Sequence, residues 1–92
     1  MKNNLSKDKR KQLQKKASIL KPIIMIGQKG LTDSVLAEID SALNIHELIK
    51  IRSRGADKNE CKEQRLKIEQ QLNADVVNRI GFITVFYRAA AK

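Results

Sequence analysis

Two groups of residues stand out as candidates for binding a ligand, and both point at phosphate. Gly27-Gln28-Lys29-Gly30 sets two glycines three apart around a lysine. Glycine lets a backbone reach positive φ and lets a ligand approach it closely. A helix starting just beyond would offer unpaired N–H groups and a partial positive charge to an anion, and Lys29 adds a full charge. The plain alternative is an ordinary tight turn between a strand and a helix. The second group is Lys7, Lys11 and Lys15, which recur every fourth residue with Arg10 and Lys16 beside them. On a helix this spacing makes one stripe. A face kept only for solubility mixes signs. Here five lysines, counting Lys9, and one arginine stand against Asp8 alone.

Further cations follow. Lys50, Arg52 and Arg54 alternate along a strand-like run and so share one face, which points outward if helices cover the other. A polar outer face is the alternative. Arg88 ends the final strand-like run, as a phosphate contact or as a solvated terminus. The same glycine spacing as in 27–30 clamps about four nucleotides of RNA backbone in KH domains. Base stacking on aromatics is not expected, because Phe82, Phe86 and Tyr87 are the only three aromatics and the two phenylalanines suit a core.

Enzymatic chemistry has no visible apparatus. His46 is the single histidine and Cys61 the single cysteine, so no metal-ligand spacing exists, and no phosphate-binding P-loop or GxSxG motif is present. His46 reads as a turn or cap residue and Cys61 as a small helix residue facing the core. No catalytic residue, metal, cofactor or small-molecule substrate is expected.

Charge narrows the partner. Among 92 residues, 19 lysines and arginines face 10 acids, a net charge of +9. Residues 1–30 carry nine of the cations against one acid. Such a lopsided end attracts a polyanion. A membrane surface fits poorly, because the first helix lacks a broad apolar face with Trp or Phe. The longest apolar stretch, broken by Lys21-Pro22, is too short to span a bilayer. A lone cysteine and a polar start without an apolar leader lead us to expect a cytoplasmic protein, and a monomer is the reading adopted.

These residues need elements to hold them. Residues 6–17 read as a helix with Ser6 as N-cap and Leu13, Ala17 and Leu20 on its apolar side. Pro22 ends that segment. Ile23 to Ile26 reads as a buried strand, apolar on both faces. Thr32 caps a second helix, with Leu31 and Leu36 as a hydrophobic staple, Val35, Leu36, Ile39, Ala42 and Leu43 as its stripe, and Asn44 as its stop. A second strand spans 47–54, broken by Gly55. Asp57 and Glu60 form a capping box that opens a third helix to about Leu72, with Cys61, Ile68 and Leu72 aligned and Leu66 off the stripe. Residues 75–80 and 82–88 read as strands joined near Gly81, and 89–92 as a frayed end. The expectation is an α+β (α/β two-layer) fold: an N-terminal helix, then βαβαββ, around a four-stranded mixed sheet.

With those elements in place, the sequence resembles a known family. The run Leu20-Lys21-Pro22-Ile23-Ile24-Met25-Ile26-Gly27-Gln28-Lys29-Gly30-Leu31-Thr32, then Val35-Leu36, Glu38-Ile39 and His46-Glu47-Leu48-Ile49-Lys50-Ile51, resembles the YhbY-like proteins, stand-alone bacterial versions of the CRM RNA-binding domain. Ile80-Gly81 and Val85-Phe86-Tyr87-Arg88 fit the same pattern. The segment around 54–73 departs from it. The resemblance implies one domain over 1–92, similar to the C-terminal domain of a bacterial translation initiation factor, with RNA contacted by the loop Gly27, Gln28, Lys29, Gly30 and nearby basic surface. It implies association with large ribosomal subunit precursors and a part in their assembly. Alternatives are an adaptor docking on ribosomal proteins, or a splicing or RNA-chaperone factor.

Overall fold

The computed structural model describes residues 6–27, 29–54 and 57–89. Gln28, Gly55 and residues 90–92, on which sequence expectations were placed, lie outside them. The elements run α1 (Lys7–Ala17), β1 (Ile24–Ile26), α2 (Asp33–His46), β2 (Leu48–Ser53), α3 (Lys58–Leu72), β3 (Asp75–Ile80) and β4 (Ile83–Tyr87). This is the expected order.

All three helices begin where side chains can replace missing backbone partners. The Ser6 hydroxyl accepts from the Lys9 N–H at 3.0 Å, Thr32 from Val35 at 3.2 Å, and the Asp57 carboxylate from Glu60 at 2.8 Å. α2 runs past Asn44 to His46 and ends only where Glu47 turns to φ 63. The positive-φ residue that ends the helix is Glu47 rather than Asn44, which stays helical while its side-chain oxygen accepts from Arg88.

The sheet is mixed, in the order β1-β2-β4-β3. β1 pairs parallel with β2, and β4 pairs antiparallel with both β2 and β3, with an irregularity between Val76 and Asn78. The β1–α2–β2 crossover gives the parallel pair, while the tight Gly81 turn, at φ 58, gives an antiparallel one.

Two apolar clusters hold the layers. On one face Ile24, Ile26, Ile49, Ile51 and Phe86 of the sheet pack with Leu36, Ile39 and Leu43 of α2 and Ile68 of α3. This is the two-layer core expected. On the other face Leu13 and Ala17 of α1 pack on Val77 and Val85, bordered by Leu48 and Tyr87. α1 therefore adds a short layer opposite α2 and α3, leaving the rest of that face open.

Two burial expectations are corrected. With Ile23 just before it 52% exposed, β1 buries Ile24 and Ile26 but leaves Met25 50% exposed. It is an edge strand whose outer face α1 does not reach, so a continuous apolar run here does not mean burial on both sides. Phe82 lies in the β3–β4 turn and is 48% exposed, while Phe86 is at 1%. Only Phe86 belongs to the core. Cys61 is buried and Leu66 exposed, as the α3 pattern predicts.

Candidate nucleic-acid interface

β1 ends in the sheet and α2 begins beyond it, so the chain must reverse within a few residues. It does so through a turn closed by the Gly30 N–H donating to the Gly27 carbonyl at 3.0 Å, followed by Thr32 N–H to Gly30 O at 3.1 Å. Gly27 and Lys29 are exposed and Gly30 is half-buried. The two glycines serve different purposes. Gly30 sits at φ +74, which a side chain rarely adopts. Gly27 has no such φ, and a Cβ added to it would meet nothing within 4 Å. Among the described residues, neither the backbone φ nor the packing requires glycine at 27.

The start of α2 is a modest anion site by itself. Thr32 takes the Val35 N–H, and the Asp33 carboxylate in the first turn already answers part of the helix dipole. Positive charge at the loop must come from side chains, and β2 supplies it. Arg54 N–H donates to the Ile26 carbonyl at 2.8 Å, which places Arg54 beside the entrance to the turn.

Lys50, Arg52 and Arg54 alternate with the core residues Ile49, Ile51 and Ser53, so they lie on the face that α1 partly covers. The Arg54 guanidinium reaches Met25 Sδ at 3.7 Å, Arg52 is exposed between Met25 and Ile83 in the register, and Lys50 Nζ donates to the Leu20 carbonyl at 2.9 Å. Lys50 also borders a cavity of about 130 Å³ with Ala17 and Ser18, at the end of α1. The β2 row thus runs from the end of α1 to the glycine turn.

α1 carries the remaining predicted cations on its outer side. Leu13 and Ala17 face the sheet, so Lys7, Lys11 and Lys15 form the solvent crest, with Arg10 exposed on one flank. The helix starts over the Tyr87 ring, 5.5 Å from Lys9 Nζ, and ends near Lys50. Lys15 is consequently nearest the β2 row and Lys7 farthest, about 12 Å further along the helix.

Arg88 stands apart from this surface. Its guanidinium donates to Asp40 Oδ1 and to Leu72 O at 2.8 Å, to Asn44 Oδ1 at 2.9 Å and to Asp40 O at 3.1 Å. It is neither a solvated terminus nor an outward cation but a tie between β4, α2 and the end of α3.

One further group of cations comes together only in the fold. Lys58 and Arg65 share a face of α3, and the fold brings Arg79 and Phe82 to them around one cavity. The i, i+7 spacing of Lys58 and Arg65 was readable, but nothing local joins them to the β3–β4 turn.

Among the described residues no group of three His, Cys, Asp or Glu could hold a metal, and no helix is long and apolar enough to cross a membrane. His46 is exposed in the last turn of α2.

The comparisons agree with this architecture. Residues 5–88 match the model of the CRS1 / YhbY (CRM) domain. An RNA-binding protein of Haemophilus influenzae is 45% identical over 85 residues, covering 91% of this chain and 85% of that protein. A protein of Pseudomonas aeruginosa named a probable RNA-binding protein is 34% identical over 88 residues, covering 96% and 85%. The solution structure of a hypothetical RNA-binding protein from Staphylococcus aureus superposes with a TM-score of 0.81 at 26% identity, covering 97% of this chain and 93% of that one. A family match over nearly the whole length, on a fold of the same order, makes this chain a member of the CRS1/YhbY (CRM) domain family.

Proposed function

We propose that this chain binds RNA without catalysing a reaction, gripping backbone phosphates at the Gly27–Gly30 turn and along Lys50, Arg52 and Arg54, with the lysine crest of α1 extending the attraction. The observation that carries the reading is the exposed glycine turn at the end of a cation row, where Gly27 leaves room for a ligand that the fold itself does not use. The family and its RNA-binding relatives support the choice of RNA among polyanions. In the cell, the RNA is that of large ribosomal subunit precursors, and the protein acts there as a monomeric assembly factor.

The test is a titration with single-stranded RNA at several salt concentrations. Each lost phosphate contact flattens the slope of log affinity against log salt by about 0.7. Replacing Lys29, Arg52 and Arg54 by alanine should lower the slope by roughly two. An unchanged slope and affinity would remove these residues from the interface. Sedimentation of cell extracts tests the cellular role: the protein should travel with large-subunit precursors and leave them on nuclease digestion.

A further inference from the structure

The cavity between α3 and the β3–β4 turn gathers a second set of cations, on the α3 side of the sheet. Lys58, Arg65, Arg79 and Phe82 border it together with Cys61 and Gly81, around a volume of about 400 Å³. Lys58, Cys61 and Arg65 lie on one stripe of α3, and Arg79 comes from β3. Among the described residues no carboxylate pairs with Lys58, Arg65 or Arg79. Three like charges around one opening repel one another, and an anion seated between them reverses that cost.

Phe82 gives the site its second property. A single exposed apolar side chain needs no explanation. Here, however, the chain has three aromatic residues, of which Phe86 is core and Tyr87 lies under Lys9. Phe82 alone offers an open ring, and it does so in the middle of the unpaired cations. An aromatic face takes any unstacked base, while the cations take the phosphates on either side.

The position meets the proposed interface at the end of β2, from the other side of the sheet. Ser53 N–H donates to the Phe82 carbonyl at 2.8 Å, and the next residue, Arg54, donates to Ile26 just before the glycine turn. Two strand spacings, about 10 Å, therefore separate the backbone of Phe82 from that of Ile26. We infer that Phe82, with Lys58, Arg65 and Arg79, is a base-stacking subsite that commits the protein to single-stranded RNA, because a base held in a duplex cannot reach the ring. The inference rests on the RNA reading above and extends it to the kind of strand bound.

The chain contains no tryptophan, so Phe82→Trp makes a single fluorescent reporter at the site. Its emission should be quenched by a short single-stranded RNA and left unchanged by the same RNA annealed to its complement. Phe82→Leu keeps an apolar side chain but removes the ring. It should weaken single-strand binding roughly tenfold, while Phe82→Tyr restores it. Removing Lys58, Arg65 and Arg79 should lower the salt slope by about 0.7 each. If the unaltered protein binds RNA while the tryptophan stays silent and Phe82→Leu binds as tightly, the subsite is overturned and the loop interface stands. Preference for the duplex would likewise overturn it. If the unaltered protein binds no RNA, both readings fall.

Discussion

Arg88 and Asp40 form the salt bridge that ties the end of the last strand to the middle of α2, with Nη1 2.8 Å from Oδ1. The arginine is 17% exposed at its side chain and the aspartate 47%. Their Coulomb attraction is therefore partly screened, and most of the arginine's worth lies in what else it holds. It also donates to the carbonyls of Leu72 and Asp40 and to Asn44. Five donors on a planar fork can do this; the ammonium of a lysine cannot.

Arg88→Ala should accordingly destabilise the domain by about 2 kcal/mol, since several charge-assisted bonds go and the Leu72 carbonyl loses its partner. Arg88→Lys should recover less than half of that. Asp40→Asn should cost less than Arg88→Ala, because its position is half open to water. Urea unfolding measures all three. RNA affinity of the folded Arg88→Lys protein should be unchanged, and a loss there without a loss of stability would return Arg88 to the interface.

Gly30→Ala should destabilise by about 1 kcal/mol through its positive φ alone, since the nearest atom to the new Cβ, Gln64 Nε2, would sit at an ordinary 3.9 Å. Thermal unfolding of this variant beside Gly27→Ala checks the point, and Gly27→Ala should unfold with the unaltered protein.

Leu13→Ala should cost about 3 kcal/mol by opening a cavity beneath α1. Leu13 belongs to the small cluster with Ala17, Val77 and Val85, separate from the main core. Hydrogen exchange should therefore show protection lost first in α1, while α2 and β2 stay protected until global unfolding. A uniform loss would mean that α1 is not a separately docked layer.

Much of the fold was legible because it is local. Ser6, Thr32 and Asp57 announce helix starts by residue type, and each side chain makes the capping bond its type suggests. Periodicity likewise placed Ile39 and Leu43 in the core and Leu66 outside it. What the sequence hid depends on neighbours that only the fold supplies. The apolar run of Ile23 to Ile26 cannot say that β1 is an edge strand with α1 too short to cover it. Phe82 and Phe86 look equivalent as side chains, but one falls in a turn and the other on an inward strand position. Arg88 meets Asp40 and Asn44 across 48 and 44 residues, and no local pattern foretells that. The candidate site was half legible for the same reason. The glycine turn and the Lys50, Arg52, Arg54 alternation are local, whereas their meeting beside Ile26 is a consequence of parallel pairing.

In the proposed interface, RNA approaches the bare backbone at Gly27. Gly27→Leu probes that approach, because a Cβ at 27 meets nothing within 4 Å among the described residues and the φ there is not left-handed. Measured side by side, its unfolding midpoint should match the unaltered protein, while its affinity for single-stranded RNA falls at least about tenfold, about 1.4 kcal/mol. A variant of unchanged stability that binds RNA as tightly as before would remove Gly27 from the interface.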